Sequence, residues 1–258
     1  MTKHILLPLC WLLSLQLVAQ PHAQPSCNTV SPDGWEYEIK AGFNIGGTAP
    51  LPIPNEIRSI ESYNPNLALT IEANITKWWD RVQRWGLTTG LRIESKAMAT
   101  KATTKNYSME IIGNDGNRLK GNWTGGVQTK IQNVYITIPL LATHRINRHV
   151  EVKAGLFASY LLSGKFDGKV YDGYLREGNP TGNKINFTNG AIAIYDFSHD
   201  LRRFSWGTQA GADWRMKNRW KLFADLTWGF NDIFQKNFDT IAFAMYPIYL
   251  NLGMGYCF

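Results

Sequence analysis

Polar and apolar residues alternate one by one along much of the chain. Between Trp35 and Gly46 the odd positions Trp35, Tyr37, Ile39, Ala41, Phe43 and Ile45 are apolar, and the even positions carry Glu36, Glu38, Lys40, Gly42, Asn44 and Gly46. A period of two puts the two sets on opposite faces of an extended strand. The pattern recurs with Leu67, Leu69, Ile71, Ala73 and Ile75 against Thr70, Glu72, Asn74 and Thr76. It recurs again with Trp85, Leu87, Leu91 and Ile93 against Gly86, Thr88, Gly90, Arg92, Glu94 and Lys96. Further strands are predicted near 127–143, 149–163, 203–217, 219–232 and 245–258, which makes eight.

The connections alternate in length. Short turns are predicted near 78–84, 144–148 and 217–219. Long segments rich in Gly, Asn, Pro, Thr and charge occupy 47–65, 98–126, 164–203 and 233–244. That rhythm predicts an all-β fold, an eight-stranded antiparallel up-and-down transmembrane β-barrel with short periplasmic turns and long extracellular loops. An even number of strands places both termini in the periplasm. Pro139 and Pro247 fall inside predicted strands, and a bulge or local break is expected at each because proline lacks the N–H of the ladder.

Alternation alone does not say which face turns inward, since a soluble lipocalin-like barrel shows the same period with its apolar side inside. The side chains decide. Glu36, Glu38, Lys40, Glu72, Arg92, Glu94, Lys96, Glu151, Lys153, Asp213, Arg215, Lys221 and Asp225 share the polar face with Gly86, Gly90, Gly155, Gly207 and Gly211. Small and oppositely charged residues suit a narrow lumen, whereas the large apolar side chains opposite require lipid or another sheet to cover them. Aromatics also fall at two levels. Trp35, Trp78, Trp79, Trp85, Trp214 and Trp220 lie near the short turns or the N-terminus, and Phe43, Tyr160, Phe204, Trp206, Trp228, Phe230 and Tyr246 lie toward the long connections. Two such girdles mark the two faces of a bilayer.

Composition narrows the class further. Of 258 residues, 44% are hydrophobic and only 18% charged, which excludes disorder. Beyond the leader no run reaches the ~18 apolar residues of a spanning helix. The net charge of +7 is spread along the chain without basic runs, so nucleic-acid binding is not expected. Lys3 followed by the apolar run Ile5 to Val18, then Ala19, Gln20 and Ala23, reads as a secretory signal peptide over residues 1–23, cleaved between 19 and 24. Residues 24–33 then form a periplasmic tail and 34–258 the barrel. Two cysteines remain in the mature chain, Cys27 before the first strand and Cys257 at the end of the last. They are candidates for a bridge in an oxidising periplasm, or two independent thiols.

Little else suggests chemistry. Asp196, Ser198, His199 and Asp200 cluster in the third long connection, but adjacency in sequence is no catalytic geometry, and a solvated loop balanced by Arg202 and Arg203 is expected. His144 and His149 flank a periplasmic turn without a third ligand of matching spacing. No catalytic residue, cofactor or metal site is assigned. An eight-stranded lumen is just wide enough to be filled by its own side chains, so a satisfied polar core is expected rather than a pore.

The last strand is the sharpest signal. Tyr246, Ile248, Leu250, Leu252, Met254, Tyr256 and Phe258 share one face, and Tyr249, Asn251, Gly253, Gly255 and Cys257 the other. The chain ends on an aromatic, and Tyr256 with Phe258 resembles the signal read by the barrel assembly machinery of the outer membrane, an expected partner beside membrane lipid. Four segments carry a wider resemblance: Pro-Leu-Pro-Ile-Pro-Asn-Glu-Ile-Arg at 50–58, Tyr-Ile-Thr-Ile-Pro-Leu-Leu at 135–141, Tyr-Asp-Gly-Tyr-Leu-Arg-Glu-Gly at 171–178 and Met-Tyr-Pro-Ile-Tyr-Leu-Asn-Leu-Gly at 245–253. With them the chain resembles the PorT-like, porin-family small outer-membrane barrels of the Bacteroidota. The resemblance implies the barrel fold, the outer membrane and a link to protein secretion, because the namesake belongs to the type IX secretion system. It carries over no catalytic residue.

The long connections far exceed what closing a barrel requires. Alternate prolines at Pro50, Pro52 and Pro54 stiffen the first, which lowers the entropy lost on binding. Ile57, Arg58, Tyr171, Tyr174 and Arg176 are therefore the candidate contact residues for a protein or glycan at the cell surface. The alternative is that these loops only cap the mouth. The expected function is that of a non-enzymatic accessory or binding barrel; a small porin-like channel and a rim-located hydrolase or acyltransferase are the other readings.

Overall fold

The computed structural model describes residues 30–79, 83–112, 118–216 and 219–258. The leader, its cleavage site and Cys27 lie outside them. Ten strands follow in order: β1 (Trp35–Pro50), β2 (Ile57–Asn64), β3 (Ala68–Trp78), β4 (Trp85–Ile112), β5 (Arg118–Arg145), β6 (Val150–Glu177), β7 (Lys184–Asp196), β8 (Phe204–Arg215), β9 (Trp220–Gly229) and β10 (Met245–Cys257). Every pairing is antiparallel. Eight strands close a ring in the order β1, β3, β4, β5, β6, β8, β9 and β10, with β10 returning to β1 from Glu38 opposite Cys257 to Pro50 opposite Met245. Up to Asn44 opposite Ala68 the closed ring leaves no lipid-exposed edge, the condition for a sheet to cross the hydrocarbon core.

The faces are oriented as the alternation predicts. All thirteen charged residues of the polar face are buried in the lumen. On the opposite parity Ile39, Phe43, Leu69, Ile71, Leu91, Ile93, Leu140, Leu156, Leu226 and Met254 are exposed on the outer wall. Glycine makes room inside: a Cβ on Gly211 would run into an Asp225 carboxylate oxygen, and one on Gly255 would stand 2.5 Å from that of Glu38. The two prolines behave differently. The β4–β5 ladder skips the positions opposite Pro139 without a change of register, while the β5–β6 ladder runs through it. Pro247 keeps its place opposite Thr48, and the ladder to β9 stops one residue short of it, at Ile248. Each gives a local gap, and neither a bulge.

The second and third long connections, expected to be loops, are largely strand. β4, β5 and β6 run 28 residues each, where ~9–11 suffice to cross a bilayer. Their outer halves rise above the membrane, β2 pairs along β4, and β7 pairs along β6. Register shifts at Thr104/Tyr107, Thr124/Gly126 and Tyr171/Gly173 interrupt the alternation. Asn106 and Asp172 take left-handed backbone at two of them, with φ of 57° and 47°, a conformation their short polar side chains tolerate. Such bulges increase local twist. The tall sheet curls until β7 touches back on β4 through Ile194 and Ile112, and the result is a β-structured extracellular head.

Candidate functional site

The lumen is filled in layers. Nearest the short turns, Lys221 Nζ lies 2.9 Å from both Glu36 and Glu151, and Arg215 Nη2 lies 2.7 Å from each of the same carboxylates. Arg145 joins them at 2.7 Å from Glu151 and stacks 4.2 Å from the Trp78 ring, whose indole N–H donates to Glu36 at 3.1 Å. This corrects the assignment of Trp78 to the lower girdle. It shares parity with Thr70, Glu72, Asn74 and Thr76, so it turns inward and is only 3% exposed. In the next layer Lys153 bridges Asp213 at 2.7 Å and Asp225 at 3.2 Å, with Lys40 3.3 Å from Asp213. Above it Arg92 pairs with Glu72 and donates to Gln209 at 2.9 Å, while Lys96 pairs with Glu94 under the rings of Tyr135, Phe157 and Tyr249. Among the described residues seven buried carboxylates meet six buried cations, with the half-buried Arg145 as a seventh. Charges removed from water at this depth persist only when paired in this way.

Above the charged layers the filling becomes apolar. Met109, Ile111, Trp123, Val127, Ile131, Val170, Leu175 and Tyr195 pack between the curled strands, and Phe234 and Ile241 of the segment before β10 pack into the same core. Trp123 and Phe187 meet edge to face, as do Phe166 and Phe234. The head thus has a hydrophobic core of its own, seated on the mouth of the barrel.

A ring of eight strands, a polar interior and a lipid-covered wall can now be set beside known proteins. Over residues 18–235 the chain matches the family described as outer membrane protein beta-barrel domain. The chain belongs to that family. It is an integral protein of the outer membrane. No curated protein matches it. Among solved structures it is similar to Ail, the attachment invasion locus protein of Yersinia pestis. In complex with the heparin analogue sucrose octasulfate, Ail is 10% identical, with 87% of this chain and 97% of that chain covered and a TM-score of 0.36. A second Ail structure gives 11% identity, the same coverage and a TM-score of 0.34. Likeness at that level carries no functional inference.

Within this outer-membrane barrel the candidate contact residues separate. Arg58 is exposed on β2, while Ile57 lines a cavity behind it. Tyr171, Tyr174 and Arg176 lie on β6, each half-buried, on a paired strand and not on a loop. Partial burial and the neighbouring Glu61 carboxylate push the Tyr171 phenol above its usual range. The Tyr174 ring lies under Lys184 at 4.2 Å, and Arg176 donates to the Gly182 carbonyl. β6 therefore brings three of the five to one flank of the head.

The other singled-out residues have structural partners. Ser198 Oγ accepts from the Phe166 amide at 3.0 Å. Against a burial that pushes it up, hydrogen bonds from the Ser198 hydroxyl and amide hold the Asp196 carboxyl below the usual aspartate range. His199 is exposed, and its carbonyl accepts from Gln235. The His144 ring packs on Trp85 at 4.2 Å, and His149 Nδ1 faces the Arg215 carbonyl at 3.2 Å. Cys257 is fully buried beside the lower ion-pair layer. Tyr256 packs edge to face with Phe258, which is 53% exposed on the outer wall.

Proposed function

We propose that the protein is a non-enzymatic, non-conducting surface barrel that works by presenting its extracellular head to a partner. The observation that supports this is the contrast between the two halves. The lumen is occupied by paired charges, and three strands continue far beyond the bilayer to build a head with its own core. A head held by continuous strands offers a preformed surface, which reduces the entropy lost when a partner docks. The flank carrying Tyr171, Tyr174 and Arg176 has the aromatic and arginine chemistry common in binding hot spots. The PorT-like resemblance suggests a component of protein secretion or envelope biogenesis as the partner class.

The test is photo-crosslinking from position 174 on intact cells. A discrete adduct that disappears in Tyr171→Ala/Arg176→Ala, with membrane insertion unchanged, is the expected result. Adducts that survive the double substitution, or stepwise conductance of the purified protein in planar bilayers, overturn the reading.

A further inference from the structure

The closed wall has a seam at its outer rim. β1 pairs with β3 only as far as Asn44 opposite Ala68, yet its pairing with β10 continues to Pro50. Ile45 to Pro50 are therefore laddered on one edge alone. β2, which continues the line of β3, pairs with β4 and not with β1. At the seam the Thr48 amide donates to the Met98 sulfur at 3.2 Å, in place of a strand carbonyl. Below it the Asn44 side chain bridges to the Ser95 carbonyl and to Glu94, forming a polar floor.

Behind the seam lies a cavity of about 350 Å³, within the ~300–1,000 Å³ typical of ligand sites. Its walls include Met98, Ala102, Val127, Phe166, Phe243 and Met245. Ile60 and Tyr63 of β2 also line it while remaining 58% and 49% exposed, so the mouth lies beside β2. The register fixes its height. Tyr246 and Trp228, both of the outer girdle, stand opposite Ala49 and Ile248, so the seam opens where acyl chains meet headgroups. An apolar cavity at that level disfavours water. On the outer face of the same strand pair Arg58, Lys101 and Lys105 are exposed and form no ion pair among the described residues.

We propose that this cavity takes the acyl chain of an anionic amphiphile, entering sideways from the outer leaflet through the β1–β2 seam, with its head near Arg58, Lys101 and Lys105. The site adjoins the head flank, since Tyr171 meets Glu61 of β2 and Ile57 lines the cavity, but its test reads label in the interior and does not depend on that reading.

The experiment uses the mature protein in vesicles of phosphatidylethanolamine and phosphatidylglycerol. Two probes are compared, dodecanoic acid with a terminal diazirine and a phosphatidylglycerol bearing the same chain. Photolysis is expected to label peptides containing Met98, Val127 or Phe243, and Ala102→Phe or Thr100→Phe is expected to cut that labelling roughly tenfold. Labelling at Leu69 and Leu91 on the lipid face stays constant, and heat-modifiability on gels reports folding of each variant. Interior label from both probes identifies a membrane lipid as the source, and from the free acid alone a fatty acid. Label confined to the outer wall in the unsubstituted protein, or interior label unchanged in a folded cavity-filling variant, overturns the proposal.

Discussion

Lys221 holds Glu36 and Glu151 together with one ammonium group, and it cannot be removed without leaving two carboxylates competing for Arg215 and Arg145. Breaking a buried pair from one side typically costs ~3–5 kcal/mol. Lys221→Met is expected to lower stability by about that much, read as a drop in the urea midpoint of the folded protein in detergent. Glu36→Gln combined with it is expected to recover part of the loss. On the last strand the two faces differ sharply. Leu250→Arg on the lipid side should cost ~2–4 kcal/mol if near the midplane, whereas Asn251→Ser in the lumen should be mild. Equal effects in the same titration would contradict the orientation of β10. At this scale nearly everything in the lumen is legible, because within each strand the charges share one parity. Trp78 departs for a reason that parity itself supplies: proximity to a turn suggests a girdle, while its even number among inward-facing neighbours points inside, where the side chain lies.

The strands that cross the membrane follow directly from the period of two, and those of the head do not. Each bulge between Thr104 and Tyr107, or Tyr171 and Gly173, shifts the inward set by one residue. A continuous strand then reads as an irregular, polar connection. Trp123 was the available clue, a large aromatic far from either girdle, and it proves fully buried at the centre of the head. Trp123→Ala should remove ~3–5 kcal/mol of packing. Protease added to whole cells is then expected to clip the head while the membrane-embedded ring stays intact and heat-modifiable. Loss of membrane insertion in that variant would mean that head and ring fold as one unit. The cavity was illegible for another reason. It depends on β1 and β2 failing to pair, and neither sequence reports an absence of pairing between neighbours.

For the molecule as a whole, the filled lumen predicts electrical silence: planar bilayers with the purified protein should show no unitary steps. Removing the lower layer with Arg215→Ala and Lys221→Ala together should admit water and small ions if the barrel still folds. A silent, folded double variant would locate the effective seal in the apolar layer above. Fractionation should recover the protein with the outer membrane, and unboiled samples should migrate anomalously on denaturing gels because the ring has no edge for detergent to open.

The meeting of Glu38 with Cys257 also orders events in time. The hairpins from β4 to β6 join neighbours in sequence and are able to zip as soon as their residues are present. The closing ladder spans almost the whole chain, so its loop entropy falls due last. Until the final dozen residues arrive, β1 waits with one edge open, and the chain cannot become a finished wall by halves. A chain shortened at its C-terminus keeps most of its contacts yet stays unclosed, a permanent intermediate exposed to the proteases of its compartment.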